Sequence, residues 1–242
     1  MPSIHALLHR DERPWSAVPV RILIALGAAC LLQPGWHFLQ PVPEAVQQDL
    51  PQPPAAIQLR LAGLDDPVAL SKALMLWLQA FDNQPGISIP FNRLDYDLLI
   101  RWLDRILELD ERSHYPLLAA SRLYSLVQDA GKKRQMLEFV RQKFLRDPGR
   151  RWQWLAHCVY VAKYQLKDLG LALEYAHTLR LWTESPAVPY WARHMEVYIL
   201  EDMGNIEAAK ILIGGLLESG FVEDPAEVRF LQERLNTLAD EE

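Results

Sequence analysis

Four turn signals recur at nearly constant spacing in the second half of the chain. They begin at Asp110, Asp147, Ser185 and Asp224, and successive signals are 37, 38 and 39 residues apart. Between them, apolar residues follow the i, i+3, i+4, i+7 spacing of a helix with one buried stripe. An inner turn with a glycine divides each interval, and these glycines are Gly131, Gly170 and Gly204. A fixed period of this length is typical of stacked helical hairpins, in which each unit buries its apolar face against its neighbours.

The pattern predicts three full hairpins and a terminal helix. The hairpins are residues 116–146, 150–183 and 187–219, and the last helix begins at Asp224-Pro225. Upstream, Asp66-Pro67 has the N-cap residue and first-position proline of a helix start. A further helix is expected from about Leu94 to Leu109. We therefore predict an all-α fold, an α-α superhelix with a period of about 38 residues that occupies residues 66–242.

The middle hairpin shows the helical stripes most clearly. Its first helix, Arg150 to Lys167, carries apolar residues on one face at Leu155, Cys158, Val159, Ala162 and Leu166. Its second helix carries a matching stripe at Ala172, Tyr175, Ala176, Leu179 and Trp182. Cys158 lies on the first stripe and is expected to be a small core residue. With only Cys30 as a second cysteine, the chain has neither a disulfide framework nor enough thiols for a thiolate metal site.

The hairpins resemble tetratricopeptide repeats. The segment Met203-Gly204-Asn205-Ile206-Glu207-Ala208-Ala209 is similar to the turn and second helix of that family, and residues 169–176 are similar to a lesser degree. The family period is shorter, at 34 residues, and residues 132–145 have Met136 and Phe139 where alanines are typical. The resemblance implies a right-handed superhelical stack whose concave face binds peptides or proteins. It implies no catalytic residues.

An unbroken apolar run, Ile22–Leu32, lies near the amino terminus. Eleven residues match a signal-peptide core, whereas a membrane span needs about twenty. The weakly polar flanks extend the run, and no small-residue cleavage site follows it. We therefore predict a transmembrane signal anchor at residues 16–39 that contacts the membrane through Ile22–Leu32, preceded by a tail at residues 1–15. A cleaved signal peptide remains the main alternative, and lipidation of Cys30 is a weaker one.

The basic residues around this run predict its orientation. Arg10, Arg13 and Arg21 precede it, and no lysine or arginine occurs from Ile22 to Leu59. By the positive-inside rule the amino terminus faces the cytoplasm. We expect a single-pass protein of the inner membrane with its repeat domain outside the cytoplasm, which is the periplasm in a Gram-negative bacterium.

Residues 40–65 are predicted to be an extended linker. Five prolines lie in this segment: Pro41, Pro43, Pro51, Pro53 and Pro54. Because proline fixes φ and has no amide hydrogen, such a segment is semi-rigid and holds the domain away from the membrane. The alternation in Ile57 to Ala62 is interpreted as an extended lead-in to the first helix of the domain.

Residues 132–151 carry a local excess of positive charge. Although the whole chain has a net charge of -6, this segment holds eight basic residues and only Glu138 and Asp147 as acids. A solvated helix face is the ordinary interpretation, and a docking patch for an acidic protein or anionic lipid is the sharper one. Trp154, nearly half a turn from the buried stripe, is expected to line a binding surface. The candidate partner-binding residues are Arg141, Lys143, Arg146, Arg150, Arg151 and Trp154.

Known chemical motifs are missing from the sequence. It has no phosphate loop, dinucleotide glycine pattern, nucleophile elbow or zinc-type histidine spacing, so we predict no catalytic residue, cofactor or metal. The expected external location argues against nucleic acid. The function expected is a membrane-anchored, non-catalytic scaffold or assembly factor that binds protein partners of an envelope complex. The alternative is a helical enzyme or ligand-binding domain with a pocket under the loop at residues 83–93.

Overall fold

The computed structural model describes residues 18–39, 48–64, 66–81, 83–84, 87–183, 188–220, 222 and 224–240. The chain divides into two compact units, Met1–Ala45 and Val46–Glu242. The tail predicted at residues 1–15 lies outside the described residues.

In the part of the first unit that the structure describes, the chain forms helix α1, which spans Val20–Leu39. At 1.5 Å per residue its 20 residues extend about 30 Å, the thickness of a bilayer hydrocarbon core. Its apolar side chains are largely exposed, including Ile24 and Leu31. Within the described part of the chain, α1 is the helix that is long and apolar enough to cross a membrane. Pro34 lies inside this helix.

The linker prediction needs two corrections. Residues 57–62 are not extended, because Ala56–Ala62 forms helix α2, which buries Leu59 and packs on the helices that follow it. Residues 48–55 form neither a helix nor a strand, and they belong to the second unit. Leu50 is buried in its core, and the indole N–H of Trp102 donates to the carbonyl of Pro51 at 2.7 Å. The end of the linker is therefore part of the folded domain.

Helices α3, Pro67–Ala80, and α4, Tyr96–Leu109, follow as an antiparallel pair. Each starts at an aspartate, Asp66 or Asp95, whose carboxylate accepts amide hydrogens of the first turn. The loop between them forms a two-stranded antiparallel ladder, β1 at Asn83–Gln84 and β2 at Ile87–Ser88, and a 3₁₀ turn at Phe91–Arg93. The loop contributes to the core, since Ile89 is buried and Phe91 packs on the ring of Tyr124 at 5.7 Å.

Three pairs of helices and a last helix complete the second unit. In the first pair, α5 at Tyr115–Leu118 continues as a π turn and a 3₁₀ turn to Leu126 and precedes α6 at Ala130–Phe144. In the second, α7 at Pro148–Tyr160 continues as a π turn at Val161–Gln165 and precedes α8 at Leu169–Trp182. In the third, α9 at Tyr190–Arg193 and α10 at Met195–Asp202 precede α11 at Ile206–Glu218. Helix α12 spans Pro225–Asp240. The all-α class is confirmed, and the three pairs lie where the sequence predicts hairpins.

Each helix packs mainly on helices one or two places away in chain order. One apolar core runs from Leu50 to Ile199, and a second cluster joins α10, α11 and α12. The members of the second cluster are Val197, Leu200, Ala209, Ile213, Leu231 and Leu238. The second unit is thus built from contacts between adjacent helices.

Polar contacts also join neighbouring pairs. Lys143 binds Asp104, 39 positions earlier, and Trp154 donates to His114, 40 positions earlier. Lys163 binds Asp202, 39 positions later. Their separation in sequence is about one helix pair, so the same kind of bridge is repeated along the domain.

Candidate functional site

The predicted basic patch is divided by the fold. Lys143 is buried with its ammonium 2.5 Å from the carboxylate of Asp104. Arg151 is also buried, and its guanidinium donates to the carbonyls of Lys143 at 2.7 Å and Glu111 at 2.8 Å. Burial is the main reason that the pKa of Arg151 lies below its usual range. These two cations hold helices together, and their assignment to a docking patch is wrong.

Trp154 is a second correction. Only 8% of its surface is exposed, and its indole N–H donates to Nδ1 of His114 at 3.1 Å. A tryptophan this far from the main stripe is buried because a second face of α7 packs on the preceding helix pair. The sequence shows one stripe, whereas a helix in the middle of a stack needs two.

The exposed members of the patch are mostly paired. Arg141 makes a two-pronged contact with Glu138 at 2.8 and 2.9 Å, and Arg150 is 3.1 Å from Asp147. The side chain of Arg146 is exposed and makes no hydrogen bond or ion pair with any residue that the structure describes. A cleft of about 340 Å³ beside it is lined by charged residues and Leu107: Asp104, Glu108, Glu111, Arg112, Arg146, Asp147, Arg150 and Arg151. Four arginines face four carboxylates there, so the cleft is balanced in charge and is not a basic surface.

A different groove, of about 360 Å³, lies between the π turn of α7 and helix α10. It is lined by Val159, Tyr160, Lys163, Tyr164, Met195, Tyr198, Ile199, Glu201 and Asp202. We call this surface the tyrosine groove. Both of its walls come from the first helix of a pair.

A row of three rings lies along α7 and its π turn, and two of them, Tyr160 and Tyr164, line one wall of the tyrosine groove. His157, Tyr160 and Tyr164 are spaced by three and four residues, so they share one face of the helix. The ring centroids of His157 and Tyr160 are 5.7 Å apart and nearly parallel, and those of Tyr160 and Tyr164 are 4.8 Å apart. Tyr160 is 49% exposed and Tyr164 is 56% exposed, which leaves ring surface open to a ligand.

The helix under these rings is irregular. The amide of Leu166 donates to the carbonyl of Val161 at 3.0 Å, a five-residue closure that widens the turn at Val161–Gln165. The preceding first helix has the same kind of turn at Ala119–Leu123. Single π turns inside α-helices are frequent at functional sites. Here the turn carries Lys163 and Tyr164 into the groove.

The opposite wall comes from α10, and its charges are paired. Asp202 binds Lys163 across the groove, and Lys163 lies 4.8 Å above the ring of Tyr164. Glu201 accepts from Arg234 of α12 at 2.8 Å. Tyr198 lies half-buried between them, and burial, followed by the Glu201 charge, raises its pKa. The groove therefore offers aromatic surface within a rim of neutralised charges.

The far end of the row of rings is also uncharged at neutral pH. Burial, followed by the nearby Arg122 cation, lowers the pKa of His157 below its usual range. A neutral imidazole beside Tyr160 extends the aromatic surface rather than adding a charge.

The arrangement is suited to binding. The hydroxyl groups of Tyr160 and Tyr198 make no hydrogen bond to any residue in the described part of the chain, so they are available to a ligand. The described residues contain no group of three or more His, Cys, Asp or Glu side chains placed to hold a metal ion.

A buried ionic cluster lies beyond the groove. His194 and Glu227 are almost fully buried, and Nε2 of His194 is 2.9 Å from the Glu227 carboxylate, which also accepts from Arg193 at 3.0 Å. The ring of Phe230 stacks on His194. Because Arg193 and His194 precede α10 and Glu227 belongs to α12, the cluster fixes the last helix to the third pair.

Sequence reasoning missed Tyr160, Tyr164 and Tyr198 as a group. The sequence does contain an indication of this site. Tyr160 and Tyr164 lie opposite the stripe of Leu155, Cys158 and Ala162, on the helix face that usually carries charged residues. Comparison of the chain with family models, curated proteins and solved structures finds no match.

Proposed function

We propose that this protein is a membrane-anchored, non-catalytic repeat protein that holds a segment of a partner protein in the tyrosine groove. It acts as a scaffold or assembly factor in the cell envelope. The observation that carries the proposal is the exposed pair of rings Tyr160 and Tyr164, which face Tyr198 across a groove. Exposed aromatic side chains on rigid helices supply large contact areas with little loss of side-chain entropy.

The repeat interpretation is supported by the bridges between neighbouring pairs. In a stack of similar units, a residue contacts its counterpart surface one unit away, so polar contacts recur near the repeat length. Lys143–Asp104, Trp154–His114 and Lys163–Asp202 all have that separation, at 39, 40 and 39 residues. A tetratricopeptide-like stack explains why different side chains make contacts with the same spacing.

The anchoring part of the proposal rests on α1 and its flanks. Helix α1 has 20 largely apolar residues and matches a membrane span in length. Arg10 and Arg13 lie before the helix and Arg21 lies in its first turn, and no lysine or arginine follows until Arg60. This distribution favours a cytoplasmic amino terminus and an external repeat domain.

Site-specific photo-crosslinking in intact cells tests both parts. A photoreactive phenylalanine analogue replaces Tyr164 in the full chain, and a second protein carries it at Trp182, an equally exposed aromatic position in α8. We expect a discrete adduct from position 164 that fractionates with membranes, and no such adduct from position 182. Identical products at both positions, or none at position 164, would contradict the proposed function. An adduct in the soluble fraction would contradict the anchor alone.

A further inference from the structure

We propose that the ligand of the tyrosine groove is a proline-rich, uncharged segment of a partner protein, bound as an extended polyproline II helix. This inference rests on the proposed function and gives the chemistry of the partner segment.

The surface of the groove is the first argument. Tyr160 and Tyr164 each leave about half of their surface exposed, with ring centroids 4.8 Å apart, and Met195 and Tyr198 face them from α10. Successive ring faces of this kind suit the flat, rigid pyrrolidine rings of proline, and proline-rich segments are known to bind in grooves lined by aromatic side chains. A volume of about 360 Å³ fits a short stretch of extended chain rather than a packed helix.

Charge is the second argument. Lys163 is matched by Asp202, and Glu201 is matched by Arg234. Among the described residues that line the groove, no charge is therefore left unpaired to attract an acidic or a basic peptide. A charged ligand would lose its hydration in this groove without gaining an ionic partner. An uncharged segment has no charged group whose hydration would be lost on binding.

The hydroxyl groups are the third argument. Tyr160 and Tyr198 have hydroxyls that make no hydrogen bond to a described residue. A polyproline II helix has no internal hydrogen bonds, and its prolines present carbonyl acceptors without amide donors. A bound α-helix has already used its own carbonyls and offers these hydroxyls no acceptor. Donors on the groove and acceptors on the segment are therefore complementary.

The test uses the full chain in detergent micelles and a fluorescein-labelled decaproline peptide, with binding measured by fluorescence anisotropy. We expect a dissociation constant of about 0.1–1 mM for so short a probe. Because no ionic contact is involved, this value should change less than about twofold between about 50 and 500 mM salt. A glycine-serine peptide and a glutamate-rich peptide of the same length should bind at least about tenfold more weakly.

Three variants locate the binding. Tyr160→Ala should weaken decaproline binding about tenfold, whereas Tyr160→Phe keeps the ring, loses only the hydroxyl and should weaken it about threefold. Trp182→Ala removes a similarly exposed ring outside the groove and should leave binding unchanged. Equal effects of Tyr160→Ala and Trp182→Ala would place the peptide elsewhere and overturn the inference.

The outcomes separate this inference from the proposed function. Tighter binding of the glutamate-rich peptide, or no decaproline binding by the folded wild-type protein, would overturn the proline assignment even if a partner still crosslinks at position 164. Decaproline that competes with that crosslink would support both.

Discussion

Arg151 is a buried cation whose hydrogen bonds stabilise the fold, so its removal is expected to destabilise the protein. In an Arg151→Leu protein the carbonyls of Lys143 and Glu111 lose their donor inside the core. Hydrogen bonds to a charged group contribute more than neutral ones, so we expect the free energy of unfolding to fall by about 2–4 kcal/mol. The control is Arg146→Leu, an exposed arginine only five residues away, which should change it by less than about 0.5 kcal/mol. Urea denaturation in detergent measures both, and equal losses would contradict the structural role of Arg151.

His194 is expected to make stability depend on pH. Burial, followed by the Arg193 charge, lowers the pKa of His194 to about 4, so the unfolded chain binds its proton more readily than the folded one. The stability that neutral His194 contributes is fully present above about pH 6.5 and is lost as the pH falls toward 4. Burial raises the pKa of Glu227, and this acts in the opposite direction, so a comparison of two proteins is needed to isolate His194.

The comparison is between the wild-type protein and His194→Gln, which cannot take up the proton. We expect the wild type to lose free energy of unfolding relative to the variant as the pH falls from about 7 to 4.5. The imidazole resonance of His194, assigned in NMR spectra by its disappearance in the variant, should titrate near pH 4. A midpoint at the usual value near 6.5 would show that the ring is accessible to water.

The residues of the candidate site were difficult to predict because a count of charged residues does not show which side chains point into the core and which point to solvent. Lys143 and Arg146 are three residues apart in the same basic segment, yet one is buried against Asp104 and the other is exposed. Whether a lysine or arginine points inward depends on an acidic partner about 40 residues away in the chain. A single sequence does not show which cation pairs with which acid. Tyrosines are equally ambiguous, since Tyr175 is buried and Tyr160 is exposed.

At the scale of elements, the extended segment before α2 is expected to stabilise the domain. A chain that starts at residue 46 keeps Leu50 in the core and Pro51 as the acceptor for Trp102, whereas one that starts at residue 56 loses both. Burying a leucine contributes about 1.5–3 kcal/mol, and an unsatisfied buried indole N–H costs about 1–3 kcal/mol. We therefore expect the shorter chain to be less stable by about 3 kcal/mol or more, as measured by urea denaturation of both. Similar stabilities would show that the segment acts only as a spacer.

Helices were the predictable part of the fold, and their junctions were not. Apolar periodicity and Asp-Pro signals located α3, α7 and α12, because these features reflect local chemistry. In the turn before α8, however, Lys167 has the left-handed φ of 54°, while Gly170 lies within the first turn of the helix. The alternation at residues 57–62 resembled a strand because seven residues are too few for a helical period to stand out.

At the scale of the whole second unit, stability is expected to be local. Helices contact their chain neighbours, and the cluster around Leu231 is separate from the main core. In a stack of units with contacts only between neighbours, a core defect lowers the stability of the units around it and leaves the units at the other end folded. A globular domain with one shared core would lose protection throughout.

Hydrogen exchange of two matched core variants distinguishes these cases. Leu231→Ala removes a fully buried side chain from α12, and Leu103→Ala removes one from α4, so each should cost about 2–5 kcal/mol at its own site. We expect Leu231→Ala to speed amide exchange in α11 and α12 and to leave α3 and α4 protected, since no member of the second cluster comes from those helices. Leu103→Ala should give the opposite pattern, with faster amide exchange in α3 and α4 and retained protection in α12. Uniformly faster exchange along the chain in either variant would mean that the unit unfolds as one body, and the repeat interpretation of the fold would then be wrong.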